Sequence, residues 1–110
     1  MAYDEDLADR VREVVQGEEG LTEKRMFGGL AFLIGGNMAV SASGKGGLLL
    51  RVDPEDTQTF VNEPLVRRFE MRGQEMDGWL HLDAEAVTTD DERRRWVGHG
   101  VSYARSLPAE

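Results

Sequence analysis

The stretch Leu30-Ala31-Phe32-Leu33-Ile34-Gly35-Gly36-Asn37-Met38-Ala39-Val40-Ser41-Ala42-Ser43-Gly44-Lys45-Gly46-Gly47-Leu48-Leu49-Leu50-Arg51-Val52 decides the architecture. Gly35-Gly36-Asn37 is a hairpin signal, because Gly and Asn tolerate the positive φ that tight turns need. Gly44-Lys45-Gly46-Gly47 is a second tight turn. These turns separate strands at Leu30–Ile34, Met38–Ser43 and Leu48–Val52, and Gly28-Gly29 separates Leu30 from an earlier strand, Thr22–Phe27. Strand side chains alternate between faces, so Met38, Val40 and Ala42 share one side, as do Leu48, Leu50 and Val52. Ser41, Ser43, Leu49 and Arg51 point the other way. One apolar face and one mixed face predict an antiparallel sheet with helices on a single side.

Outward from this meander, Tyr3, Leu7, Val11, Val14 and Val15 recur at helical spacing, predicting a helix from Asp4 to about Gly17. Asp53-Pro54-Glu55-Asp56 starts a short helix with an N-cap and a first-turn proline, ending by Pro64 with Phe60 and Val61 inward. Arg67–Met71 and Gly78–Asp83 read as strands, punctuated by Gly73 and Asp77-Gly78. Thr89-Asp90-Asp91-Glu92 fits a capping box. It opens a last helix whose face carries Trp96, His99, Gly100, Tyr103 and Leu107, with Val97, Val101 and Ala104 beside it, and Pro108 stops it. The expected fold is a single α+β domain over residues 1–110. It has two layers, five to six antiparallel strands with helices on one face, and element order α-β-β-β-β-α-β-β-α.

Composition removes several function classes. The chain has 110 residues, 13 Lys+Arg against 21 Asp+Glu, a net charge of −8 and no cysteine. Without cysteine there is no disulfide scaffold, thiolate metal site or cysteine nucleophile. The acidic balance argues against a nucleic-acid partner, whose phosphates demand clustered Lys and Arg. Leu, Ile, Val and Phe total 26 of 110 residues, enough to form a core. The longest apolar run, Leu30–Ile34, is far short of a membrane span, and the acidic N-terminus is unlike a secretory signal. A cytoplasmic location is expected.

Candidate chemistry is sparse. Ser43-Gly44-Lys45-Gly46-Gly47 superficially suggests a phosphate loop, but Ala39 stands where the first glycine belongs and Gly46 where Ser or Thr belongs. His81 and His99 lack a third ligand at metal-site spacing, so no metal site, cofactor or catalytic residue is expected. In Arg93-Arg94-Arg95, Asp90 and Asp91 precede Arg94 and Arg95 by four residues, which predicts a solvated, self-neutralised helix start. Met26-Phe27-Gly28-Gly29 reads either as a strand entering a turn or as a site of close backbone approach, with Arg25 available for an anion.

The string Arg25-Met26-Phe27-Gly28-Gly29-Leu30-Ala31-Phe32, continuing to Gly36-Asn37-Met38-Ala39, resembles the N-terminal domain of TfoX/Sxy-type proteins. Leu50-Arg51-Val52-Asp53, Phe69-x-Met71-x-Gly73, Trp96-Val97 and Tyr103-Ala104 extend the resemblance over roughly residues 4 to 108. It implies a small α+β fold similar to secretion-chaperone-like domains, and it transfers no catalytic residue. The family is named for a regulator of natural competence that carries a second, helical C-terminal domain. Here the chain stops at Glu110, so the resemblance implies the fold without implying the regulator's role. Gly78-Trp79-Leu80-His81-Leu82 also departs from relatives that read more like M-x-Y-W-x-V-P. The resulting expectation is a non-enzymatic regulatory domain acting on a protein partner or by self-association as a homodimer. Its interaction face would carry Leu49, Arg51, Trp79 and His81, a mix of anchor types typical of interfaces. The alternatives are a small-anion or metabolite module at Arg25, Met26, Phe27, Gly28 and Gly29, and a weakly DNA-associated transcriptional regulator.

Overall fold

Asp4 accepts a hydrogen bond from the Leu7 amide at 3.1 Å and so caps α1 (Glu5–Val15), with Glu5 and Asp6 complementing its positive end. The computed structural model describes residues 3–26 and 28–109. After α1 come four strands, β1 (Leu21–Met26), β2 (Gly29–Ile34), β3 (Asn37–Ala42) and β4 (Leu48–Arg51). A 3-10 turn, Pro54–Asp56, then runs into α2 (Thr57–Phe60). Strands β5 (Val66–Met71) and β6 (Gln74–Leu82) follow, then a second 3-10 turn and α3 (Asp90–Ser106). The expected α+β class and element order are therefore present. At α3 the capping box forms in full, Thr89 and Glu92 each accepting from the other's backbone.

The strands form one antiparallel sheet in the order β1-β2-β3-β4-β6-β5. Its register can be followed across all six strands. One row runs Arg25, Leu30, Ala42, Leu48, Leu82, Val66. The adjacent row runs Lys24, Ala31, Ser41, Leu49, His81, Arg67. Residues directly opposite in antiparallel strands share a face, so each row lies wholly on one side of the sheet. The first row's aliphatic members join Phe32, Val40, Leu50 and Leu80 in the core beneath α1 and α3. Leu50, fully buried, contributes about 1.5–3 kcal/mol by that burial. The second row lies on the face without helices.

Two irregularities shape this open face. Phe32 pairs with Val40 but Leu33 pairs with Met38, leaving Ala39 as the extra residue of a bulge. The bulge overturns the expectation that Met38 shares the buried side with Val40 and Ala42, because it turns Met38 to the open face. The second irregularity lies in β6, where Arg68 pairs with Leu80 but Phe69 with Met76. Asp77-Gly78 was expected to punctuate the chain, but β6 runs through it from Gln74, and the pair instead marks a bulge. Gly78 has φ of +89°, a conformation costly for other residues. Thr57 on α2 braces it: Thr57 Oγ1 accepts from the Gly78 amide at 2.7 Å and donates to the Pro54 carbonyl at 2.9 Å.

Helix α3 seats on a different stripe from the one expected. Arg93, Val97, Gly100 and Ala104 are buried, whereas His99 is exposed and Trp96 and Tyr103 are only half-buried. Small residues set this contact, since a Cβ at Gly100 would run into the Ala39 carbonyl oxygen and lie 2.7 Å from Leu50 Cδ1. The larger aromatics pack at the margin, His99 and Trp96 against Phe60 with ring centroids 4.7 and 6.0 Å apart. The arginine run likewise differs from a solvated face. Arg93 is buried and donates to the Val87 and Thr88 carbonyls, while Arg94 pairs with Asp90 as expected.

Candidate binding groove

On the face without helices, the sheet forms a concave groove with a cavity volume of about 600 Å³. Met26, Met38, Leu49, Phe69, Met71, Met76 and Trp79 supply its apolar lining, with Ser41 and Ser43 as hydroxyls and Lys45, Glu70 and Arg72 as the charged residues. The lining comes from both ends of the sheet: Met26 ends the edge strand β1, while Phe69 to Met76 belong to the β5–β6 hairpin. Bulges bend strands and strengthen their twist, and the β6 bulge lies next to this hairpin. Met71, at 41% exposure, is the exposed large hydrophobic side chain among the described residues. Methionine supplies a flexible, polarizable surface that adapts to irregular apolar partners.

Of the expected interaction face, Leu49, Arg51, Trp79 and His81 all lie on this open side, since Leu49 faces His81 and Arg51 faces Trp79 in register. They form two neighbouring cross-strand pairs that border different hollows. Leu49 and Trp79 line the groove. The Arg51 guanidinium lies 5.2 Å from the Trp79 ring and 5.7 Å from the Tyr103 ring, within cation–π reach of both. His81 belongs to a neighbouring hollow with Lys45, Arg67 and Asp83. Its Nε2 lies 2.9 Å from the Gly46 carbonyl, which can only accept, so that nitrogen carries the proton. This contact ties β6 to the Ser43–Gly47 turn, which closes through the Ser43 and Gly46 amides as a hairpin rather than a phosphate loop.

The second expected site is divided by the pleat of the sheet. Met26 and Gly29 are paired and line the groove with Gly28. Arg25 is paired with Leu30, in the row on the helix-covered side, and is exposed at the sheet edge. Phe27 lies outside the described residues. The two glycines serve different needs. A Cβ at Gly29 would run into the Ala42 carbonyl oxygen, so this glycine lets β2 and β3 approach. Gly28 has φ of +75° and open space around it.

Ion pairs engage a little over half of the chain's cations. On the helix side, Arg12 binds the Glu23 carboxylate through two nitrogens at 2.7 and 3.0 Å. Hydrogen bonding from that guanidinium holds the Glu23 carboxyl below its ordinary range. Among the described residues, Arg10, Arg12, Arg67, Arg68, Arg93, Arg94 and Arg105 each have a carboxylate within 4.0 Å. Lys24, Arg25, Lys45, Arg51, Arg72 and Arg95 have none in that range; Lys24 and Arg51 belong to the open side by register, Lys45 and Arg72 line the groove, Arg25 lies in the helix-side row and Arg95 is on α3. Sequence reasoning did not assemble Met38, Lys45, Phe69, Met71, Arg72 and Met76 into a site. The alternation of Phe69 and Met71 was a usable signal, but the bulges that bring them opposite Met38 were not. Among the described residues, no group of His, Asp and Glu is arranged to hold a metal ion. No helix is long and apolar enough to cross a membrane.

The fold is thus a helix-backed antiparallel sheet whose uncovered face is shaped into an apolar groove. The family model of the TfoX N-terminal domain matches residues 13–104, and the chain belongs to that family. No curated protein and no solved structure matches it.

Proposed function

We propose that this TfoX N-terminal domain is a non-enzymatic regulatory module that acts by docking a protein partner in the open-face groove. The observation that carries this reading is the gathering of four methionines, Leu49, Phe69 and Trp79 on the sheet face that no helix covers. Burying such a surface against a partner is favourable by about 25 cal/mol per Å² of apolar area, before the costs of association. Aromatic and methionine side chains are enriched at protein interfaces, and a methionine-lined groove repacks around its occupant.

The test uses a variant that keeps the fold and removes apolar surface, Leu49→Ser with Met71→Ser. Tagged wild-type and variant chains, matched for unfolding midpoint in urea, are used for affinity enrichment from host extract with quantitative mass spectrometry. A protein retained by the wild type and depleted at least tenfold with the variant supports the reading. Identical retained sets for the two chains overturn it.

A further inference from the structure

We infer that the groove's partner is an acidic amphipathic segment, one whose apolar side chains enter the methionine floor while its carboxylates meet Lys24, Lys45 and Arg72. This deepens the docking reading and rests on it. The chain carries 21 acidic residues and a net charge of −8, yet Glu70 is the acid among the groove's lining residues, beside Lys45 and Arg72. Most other cations of the described chain have a carboxylate within 4.0 Å, but these do not. Lys45 and Arg72 line the groove without a carboxylate partner within the chain, and Lys24 stands on the same face of the sheet, so an apolar floor with unpaired cations presents the complement of an acidic, apolar ligand.

The placement of the cations favours a chain over a small anion. Lys24 lies on edge strand β1, Lys45 in the β3–β4 turn and Arg72 in the β5–β6 turn at the opposite end of the sheet. Five strand spacings of about 4.8 Å each, roughly 24 Å if the sheet were flat, separate its two edges, and the concave groove shortens that span. A small anion would leave the apolar floor of the groove uncovered, whereas a chain covers the floor and meets the cations together. An amphipathic helix, at about 5.4 Å per turn, presents apolar side chains on one face and carboxylates along its flank. A groove-to-groove pairing of two copies would instead set Lys24, Lys45 and Arg72 of one against the same charges of the other.

A random peptide library displayed on phage, selected on the immobilised full chain, tests this. The selected peptides are then measured by fluorescence anisotropy against three proteins. These are the wild type, the floor variant Leu49→Ser/Met71→Ser, and the charge variant Lys24→Glu/Lys45→Glu/Arg72→Asn. Asn is used at Arg72 because this residue has φ of +56°, which Asn tolerates. The expected consensus combines apolar residues at helical spacing with Asp and Glu, is lost with the floor variant, and binds the charge variant about tenfold more weakly, with added salt weakening wild-type binding. A neutral or basic consensus that needs the floor but not the cations overturns the inference and leaves the docking reading standing. Peptides indifferent to the floor variant, or no enrichment over an unrelated acidic protein, overturn both. A wild-type dimer in sedimentation that the floor variant abolishes assigns the groove to a second copy and overturns the inference.

Discussion

Gly98 and Gly100 lie two residues apart on α3, and replacing each with alanine separates helix propensity from packing. Gly98 is exposed and a Cβ there would meet nothing within 4 Å. Gly98→Ala therefore gains the propensity difference alone, about 0.8–1.0 kcal/mol. Gly100→Ala gains the same amount but drives its Cβ into the Ala39 carbonyl oxygen and to 2.7 Å from Leu50 Cδ1. Overpacking of this kind costs about 1–3 kcal/mol. The propensity gain cancels between the variants, leaving Gly100→Ala about 1–3 kcal/mol less stable than Gly98→Ala. For a domain of this size that is a separation of at least about 4 °C in melting temperature. Urea unfolding followed by far-UV circular dichroism gives the same comparison, with equal slopes showing that only stability has changed. Equal midpoints for the two variants would refute the seating of α3 on Gly100, and with it the burial of Val97 and Ala104 in place of Trp96 and Tyr103.

Three further outcomes follow from other contacts. Thr57→Val keeps the buried volume but leaves the Gly78 amide without its acceptor, so stability should fall by about 1–3 kcal/mol in urea unfolding; an unchanged midpoint contradicts the bracing of the β6 bulge. Gly29→Ala should open the β2–β3 ladder at Ala42, seen as faster amide hydrogen exchange in β3, whereas Gly28→Ala, with free space around it, should show only the cost of its positive φ. Glu23 has a lowered carboxyl pKa in the folded chain, so its pair with Arg12 stabilises above the unfolded-state value and is lost as pH falls through the folded one. Both partners are more than 30% exposed, which limits the effect to about 1 kcal/mol or less. Glu23→Gln should accordingly lower the urea midpoint at pH 7 and converge with wild type near pH 2, and an equal deficit at both pH values rules the pair out as its source.

The alternation of Leu48, Leu50 and Val52 against Leu49 and Arg51 exposed the two-faced sheet in the sequence, because a period of two has one structural meaning. The capping box at Thr89 and the Asp53-Pro54 start were equally plain, since Thr89 and Asp53 accept from nearby backbone amides and Pro54 has no N–H to leave unpaired. What alternation could not carry was the bulge at Ala39, which inserts one residue and moves Met38 to the opposite face without any glycine or proline to mark it. The stripe of α3 was misplaced for a related reason. Aromatic spacing put Trp96, His99 and Tyr103 on the contact face, whereas the closest approach to β3 is made where Gly100 has no side chain. Periodicity reports which residues are apolar; the helix settles where its surface lets the backbone come near.

A net charge of −8 suggests an anionic surface throughout, and that sum bears on phosphate-rich partners. It says nothing about where the cations stand. Arg12, Arg68, Arg94 and Arg105 are consumed by carboxylates of the chain itself, and three of these pairs, with Glu23, Asp77 and Glu18, join residues more than four apart in sequence, out of reach of helical spacing rules. Once those pairs are subtracted, the cations left unpaired on the open face are Lys24, Lys45, Arg51 and Arg72. Only the register shows that Lys24 shares a face with Leu49, and only the bent hairpin brings Arg72 to the same groove. These are the charges that, on the reading proposed above, would receive an acidic partner, whatever the sign of the total. The complement of a surface is decided by where its unpaired charges stand, and composition alone averages that away.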